Sequence, residues 1–183
     1  MERFLIMDNI FLKDKKEETL DSFLNYSESG RENLGDTLPV MVYRMLEYSL
    51  KLELRNEYGK EAQIQIFRKA GRMAGEYFAN HFLDLNVALD TFVSNLQQAL
   101  ETYKIGVLRI ESIDEESGKI ILTVSEDADC SGLPVLGETV CNYDEGFISG
   151  IMSTYSKKEY EAIEVDCWAT GDRVCRFHVN VKE

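Results

Sequence analysis

Two segments near the C-terminal end decide the fold of this protein. The first, from Cys141 to Phe147, has the sequence CNYDEGF, and the second, from Glu164 to Phe177, has the sequence EVDCWATGDRVCRF. Their three cysteines and one glutamate are the ligand types of a closed tetrahedral zinc site. The second segment also contains a glycine turn between two β-prone stretches, which predicts a hairpin. We therefore expect a metal to join a helix that begins near Cys141 to a C-terminal hairpin, with the rest of the domain packed around this corner.

The length and charge of the chain narrow the classes of function. A chain of 183 residues is expected to form one domain with a full-sized core. Its 33 acidic and 20 basic residues give a net charge of -13, which would repel a nucleic acid backbone. No run of about 18 apolar residues is present, and the N-terminal apolar stretch is too short for an export signal. We expect a cytoplasmic protein that neither binds nucleic acid nor inserts into a membrane, and whose cysteines are reduced or metal-bound.

Hydrophobic periodicity predicts an α+β domain, in which an antiparallel β-sheet packs against a layer of about four helices. Helices are predicted for residues 38–58, 61–82, 86–102 and 141–156, and strands for residues 105–113, 119–125, 161–168 and 174–181. Residues 1–36 are expected to form an N-terminal arm and a polar linker, with a strand or arm over 3–12 and a short helix over 19–26. Residues 37–183 form the predicted core. The apolar face of the first long helix consists of Leu38, Met41, Val42, Met45 and Leu46.

Two glycines on the second long helix lie one turn apart. At Gly71 and Gly75 another backbone or a flat ligand can approach the helix closely, because glycine has no Cβ atom. Buried small residues usually serve close packing between helices, and we favour that interpretation here.

The cysteine spacing gives the predicted metal site its geometry. With residues 170–172 as the hairpin loop, Cys167 and Cys175 face each other with Cβ atoms about 4.5–5.5 Å apart, which suits two thiolates on one metal. Cys141, at a helix start, supplies a third thiolate, and Glu164 supplies an oxygen. Four protein ligands leave no open position, so the zinc would be structural. Because Glu164 and Cys167 are three residues apart, they share a side of the strand only if a β-bulge separates them.

Other arrangements of the cysteines stay open at this point. Cys130 can replace Glu164 and complete a four-cysteine zinc or iron–sulfur site, although it lies in a loop, residues 126–138, that we expect to be flexible. Cys167 and Cys175 can form a cross-strand disulfide under oxidising conditions. The cysteines can also remain unligated and act as small apolar core residues.

At these residues the chain resembles the 4-vinyl reductase domain family. The two C-terminal segments quoted above carry the resemblance, and two weaker segments, NLGDTLPV at residues 33–40 and AGRMAG at residues 70–75, extend it over nearly the whole chain. The resemblance implies a fold similar to that of transport-particle tethering complex subunits, frequent homodimerisation, and binding of small molecules that are often hydrocarbons or aromatics. In the aromatic-sensing activators of this family, a zinc ion is held by a Cys, a Glu and two further Cys. That motif falls here on Cys141, Glu164, Cys167 and Cys175, and it favours Glu164 over Cys130.

A candidate ligand pocket is predicted between the helices and the sheet. Aromatic and aliphatic side chains, with one histidine able to hydrogen-bond a ligand, are its candidate lining. They are Phe78, His81, Phe82, Phe147, Ile151, Tyr155 and Trp168. Simple core filling explains most of these residues equally well, and a satisfied boundary position explains His81.

The expected function is that of a stand-alone domain with a structural zinc that binds or senses a small apolar or aromatic molecule. The sequence contains no Ser-His-Asp order, no phosphate loop and no dinucleotide or flavin fingerprint, so we expect binding rather than catalysis. A ligand-free dimeric scaffold is the alternative. A component of a vinyl-group or tetrapyrrole reductase is the third hypothesis.

Overall fold

The computed structural model describes residues 18–25, 27–114 and 116–182, so the arm predicted at residues 3–12 lies outside the described residues. The chain divides into two compact units, Met1–Asp36 and Thr37–Glu183. In the first unit, helix α1 (Leu20–Leu24) is capped by Thr19, whose hydroxyl oxygen accepts a hydrogen bond of 3.2 Å from the backbone N–H of Ser22. A 3₁₀ turn, Glu28–Arg31, follows.

The second unit has the predicted α+β architecture, and its described residues form four helices and a four-stranded antiparallel sheet. The elements are α2 (Val40–Tyr58), α3 (Lys60–Phe82), α4 (Leu89–Thr102), β1 (Val107–Asp114), β2 (Lys119–Ser125), α5 (Asn142–Ser156), β3 (Tyr160–Asp166) and β4 (Cys175–Val181). The strand order is β1-β2-β4-β3, so β4 is central and pairs with both β2 and β3. The prediction for the fold class is confirmed.

The core forms where the predicted apolar faces of helices and strands meet. Phe92, Leu96 and Leu100 of α4 are buried, as their helical spacing predicts. In β4, alternate residues from Cys175 to Val179 are buried, and the residues between them are partly or fully exposed. Helix α5 packs against α3 and also against β3, so most of its residues are buried.

Helices α3 and α5 cross at glycines on both sides. A Cβ atom added at Gly71 would lie 1.9 Å from the carbonyl oxygen of Tyr143, and one added at Gly75 would lie 2.1 Å from that of Phe147. Gly146 and Gly150 of α5 approach the backbone of α3 equally closely. The interpretation of Gly71 and Gly75 as sites of tight helix packing is confirmed, because another helix backbone occupies that face.

Helix α2 has the opposite orientation from the one its apolar stripe suggests. Leu38, Met41, Met45 and Leu46 are 61–71% exposed, while Glu47 and Lys51 are buried. Pro39 is the residue before the helix, so the predicted cap at Asp36 or Thr37 is wrong. The polar face of α2 therefore faces the domain, and its apolar face is exposed.

Within the described ranges, every helix lacks either the length or the apolar character required to cross a membrane.

Candidate metal centre

Three of the clustered cysteines are brought together by the C-terminal hairpin and the start of α5. Cys175 is the first residue of β4, and Cys167 follows the end of β3 before a 3₁₀ turn, Trp168–Thr170. The pairing of β3 with β4 shifts register between Glu164 and Asp166, which is the β-bulge that the sequence requires. Cys141 is the residue before α5. All three side chains are 1% exposed or less.

The fourth cysteine comes from the loop between β2 and α5. Arg44 of α2 holds this loop, because its guanidinium donates hydrogen bonds to the carbonyl oxygens of Ala128 at 2.6 Å and Ser131 at 2.9 Å. Cys130 lies between these two anchors and is fully buried. The expectation that this segment is flexible is therefore wrong around Cys130: a cation from a distant helix fixes its backbone.

The four sulfur atoms have spacings suited to a tetrahedral metal. The Sγ atoms of Cys130, Cys141, Cys167 and Cys175 all lie within 4.8 Å of one another. A metal with sulfur ligands at about 2.3 Å requires a sulfur–sulfur edge of about 3.8 Å. The Sγ atom of Cys141 is 3.8 Å from that of Cys167 and 3.7 Å from that of Cys175, while Cys130 and Cys175 are closer, at 3.0 Å. Four buried cysteines are thus placed where they can bind one metal ion.

Glu164 lies beside the thiols, in contact with the start of α5. Its Oε2 atom accepts a hydrogen bond of 3.0 Å from the backbone N–H of Cys141. Its Oε1 atom is buried, and no donor among the described residues reaches it. Burial, with a smaller contribution from the charge of Cys167, raises the pKa of Glu164 to about 8. The structure therefore offers two side chains, Cys130 and Glu164, as the fourth partner of the other three cysteines.

The protonation of the thiols shows what a metal would change. Hydrogen bonds from Cys130, Cys141 and Cys175 lower the pKa of the Cys167 thiol. The same crowding raises the pKa of Cys141 and Cys175, with Cys130 as the largest cause for each. One thiolate is favoured and further ones repel it, so only a bound cation would allow the whole set to ionise.

A buried ion pair fixes α5 next to this centre. Arg68 of α3 donates two hydrogen bonds, of 2.6 and 2.9 Å, to the carboxylate of Glu145, which is 2% exposed. Glu145 also accepts a hydrogen bond of 2.9 Å from the backbone N–H of Glu164. Helix α3, helix α5 and strand β3 therefore meet at one carboxylate, one helical turn from Cys141.

Arg176 does not offset the charge of the centre, although its position next to Cys175 in the sequence suggests it. It forms ion pairs with Glu111 and Asp166, and strand alternation directs it away from Cys175.

A group of carboxylates near the thiols was missed by the sequence reasoning. Asp127 and Asp129 precede Cys130, Asp144 follows Cys141 by three residues, and Glu47 projects from α2. One ligand atom each from Asp127, Cys141 and Asp144 lie within 4.8 Å of one another. The D-x-D-C spacing was the available sequence signal, but the loop around it was expected to be mobile.

The predicted ligand-binding residues do not form one pocket. Phe147 and Ile151 line an inner cavity of about 30 Å³ between α4, α5 and the sheet. Tyr155 lines an outer cleft of about 340 Å³ formed mainly by α5, the β1–β2 hairpin and β3, and it also stacks on Phe92. Met152 lines both spaces.

The other predicted ligand-binding residues lie elsewhere. Phe78 and Phe82 are in an aromatic cluster with Phe147, in which the ring of Phe78 is 5.1 Å from Phe82 and 5.4 Å from Phe147. His81 is exposed and stacks on Tyr77, and Trp168 is in the 3₁₀ turn after Cys167. Neither His81 nor Trp168 lines the inner cavity or the outer cleft.

The C-terminal part of the chain, with three of the four cysteines and Glu164, can now be compared with known families. Residues 120–181, which also include Cys130, match the 4-vinyl reductase (V-4-R) domain family. The resemblance predicted from the sequence is therefore confirmed for this part. Two uncharacterised proteins of Methanocaldococcus jannaschii are also similar: one is 25% identical over 97% of this chain and 95% of its own length, and the other is 29% identical over 82% of each.

Three solved structures share the fold around the matched segment. A trafficking protein particle complex subunit 3 from Naegleria fowleri, covalently bound to palmitic acid, has a TM-score of 0.64 and 16% identity, over 79% of this chain and 95% of that one. The phenol-responsive sensory domain of the transcription activator PoxR, with phenol, has a TM-score of 0.61 and 14% identity, over 79% and 75%. A vinyl-4-reductase family protein from M. jannaschii has a TM-score of 0.57 and 13% identity, over 82% and 85%. At these identities the likeness to the three structures extends to the fold alone.

Proposed function

We propose that the Thr37–Glu183 unit is a stand-alone domain that binds or senses a small apolar or aromatic molecule, with a structural zinc that fixes the start of α5. The observation that carries the proposal is the position of α5. Its N-terminal end follows Cys141, while Met152 further along lines both the inner cavity and the outer cleft. A ligand beside this helix would act on an element that the metal holds in place.

The zinc would be held by Cys130, Cys141, Cys167 and Cys175, with Glu164 fixing the backbone at Cys141. The alternative set exchanges Cys130 for Glu164. The mutual spacing of the four sulfur atoms supports the first set, and the unpartnered oxygen of Glu164 supports the second.

Metal content of single variants separates the two ligand sets. Cys167→Ser should lose most of the zinc and melt at a lower temperature, because Cys167 belongs to both sets. Cys130→Ser should do the same if the site is formed by four cysteines, and Glu164→Gln should then retain zinc. Retention of stoichiometric zinc by Cys167→Ser would refute the proposed metal site.

The ligand would occupy the cleft along α5 and extend toward the inner cavity. A volume of about 340 Å³ lies within the range of small-molecule sites, whereas a cavity of about 30 Å³ has room for about one water. The inner cavity would therefore have to widen, and Met152 at the junction is a flexible side chain suited to that movement. The neighbours crystallised with phenol and with palmitic acid support ligands of this kind.

Native mass spectrometry of freshly purified protein tests the ligand directly. We expect about one zinc per chain and an organic adduct that is lost on denaturation. Phenol and palmitic acid serve as added probes in thermal unfolding. Leu89→Trp, at the rim of the cleft, should abolish the stabilisation by either probe, whereas Met73→Trp, at an exposed site on α3, should preserve it. No adduct and no stabilisation by either probe would refute ligand binding.

The second candidate function, a ligand-free homodimeric scaffold, is supported by the exposed face of α2. Met45, Leu46 and Leu50 are more than half exposed, and apolar patches of this kind are typical of protein interfaces. A second copy of this chain would cover the face. Met45→Lys with Leu46→Lys should then convert a dimer into a monomer in light scattering, while Glu53→Lys on the same helix should not; a wild-type monomer at micromolar concentration would exclude it.

A further inference from the structure

Next to the thiols, four carboxylates form a second group of candidate metal ligands. They belong to Glu47, Asp127, Asp129 and Asp144. Glu47, Asp127 and Asp129 are 8%, 4% and 3% exposed, respectively. The group joins three separate segments: helix α2, the loop after β2 and the first turn of α5.

The hydrogen bonds available to this group leave several oxygen atoms without a donor. Tyr43 donates to Oδ1 of Asp129 at 2.6 Å, and the backbone N–H groups of Asp129 and Cys130 donate to Oδ1 of Asp127. In the part of the chain that the structure describes, no donor reaches either oxygen of Glu47, Oδ2 of Asp129 or Oδ2 of Asp144. A buried polar atom without a partner typically costs about 1–3 kcal/mol, so several such atoms in one place call for a bound species.

The side chain of Glu47 points toward the rest of the group. Burial raises its pKa to about 8, and the charge of Asp129 is the largest contribution from a neighbouring group. Burial is also the largest cause that raises the pKa of Asp144, and the charges of Asp127 and Asp129 raise it further.

The positive charges that face the group do not balance it. Lys51 and Arg44 are the cations whose charges oppose the raised pKa of Glu47. Lys51 donates to the carbonyl oxygen of Val140, and Arg44 donates to carbonyl oxygens of the loop. Two cations against four carboxylates leave two negative charges when all are ionised, and one divalent ion would neutralise them.

We propose that Glu47, Asp129 and Asp144, with Asp127 beside them, bind one hard divalent cation, Mg²⁺ or Ca²⁺, adjacent to the cysteine site. Carboxylate oxygens prefer these ions, whereas thiolates prefer softer metals such as zinc. The inner cavity reaches this group, since Asp127 and Asp144 are its polar lining residues. The cation would attach α2 to the cysteine-bearing loop and to α5.

The test uses the full-length, zinc-loaded protein in buffer freed of divalent ions. Calorimetric titration with CaCl₂ and with MgCl₂ should give one bound cation per chain with the zinc content unchanged. At about 1 mM, the preferred ion should raise the unfolding temperature by at least about 5 °C. No uptake of either ion at that concentration, or uptake only with loss of zinc, would overturn the proposal.

Matched variants locate the site. Glu47→Gln should weaken binding at least about tenfold, because it removes one charged ligand. Glu53→Gln removes the same charge from an exposed position on the same helix and should change affinity by less than about twofold, a change expected from long-range charge alone. Equal affinities of the two variants would refute the assignment.

A measurement on the unmodified protein does not depend on how the variants fold. Tb³⁺ binds oxygen sites like those of Ca²⁺, and the tyrosine that donates to Asp129 would sensitise its luminescence. We expect saturable Tb³⁺ emission that the preferred divalent ion displaces. Absence of sensitised emission would indicate that protons alone neutralise the carboxylates, and it would overturn the proposal.

Discussion

Replacing Gly71 by alanine tests how closely α3 and α5 cross and whether that crossing positions the metal centre. The added Cβ atom would lie 1.9 Å from the carbonyl oxygen of Tyr143, and real Cβ atoms essentially never come closer than 3.0 Å to such an atom. The two backbones would therefore have to separate by about 1 Å. The neighbour is backbone, so no side-chain rotation can relieve the overlap.

The expected loss of stability follows from two opposing effects. Overpacking typically costs about 1–3 kcal/mol, and the upper end applies here because the obstacle is rigid. Exchanging glycine for alanine within a helix returns about 1 kcal/mol. The net destabilisation is about 2 kcal/mol, which corresponds to a fall of about 4–8 °C in the unfolding temperature for a chain of this size.

Differential scanning calorimetry and chelator-driven zinc release are the two assays. Tyr143 is two residues from Cys141, so Gly71→Ala should also speed the release of zinc. Gly30→Ala is the control, because no atom lies within 4 Å of the Cβ position there, and it should shift the unfolding temperature by less than about 2 °C. An unfolding temperature of Gly71→Ala at or above that of the wild type, with normal zinc retention, would refute the close crossing.

Two further predictions concern buried charge. Arg68→Met should cost about 2–4 kcal/mol in urea unfolding, because it leaves the Glu145 carboxylate buried without its cation, and adding Glu145→Gln should recover part of that loss; equal stabilities of the single and double variants would contradict this. Glu47 titrates with a pKa of about 8 in the folded protein and near 4.5 in the unfolded chain. The folded state therefore holds a proton that the unfolded state loses, so this contribution to stability is complete below about pH 4.5 and disappears as the pH rises through 8. Thermal unfolding of zinc-loaded protein without added Mg²⁺ or Ca²⁺ should show the decline, and Glu47→Gln should flatten it; identical pH profiles would exclude Glu47 as the cause.

Local patterns in the sequence determined most of the secondary structure. The helical spacing of Phe92, Leu96 and Leu100 and the alternation along β4 each follow from burying one face of an element, so they are visible without any knowledge of neighbours. The β-bulge was also predictable, because the three-residue spacing of Glu164 and Cys167 is incompatible with a regular strand. The clustering of Cys141, Cys167 and Cys175 followed from a helix start and a hairpin.

The orientation of α2 and the inclusion of Cys130 were decided by tertiary structure alone. The sequence shows an apolar stripe on α2, but a stripe does not specify whether the core or another molecule covers it. Here the polar face turns inward, and Arg44 satisfies carbonyl groups of a loop more than 80 residues away in the chain. Those hydrogen bonds fix Cys130 beside the other thiols and bring Glu47 to the carboxylate group. No local pattern encodes such contacts, because they depend on where distant segments meet when the whole domain folds.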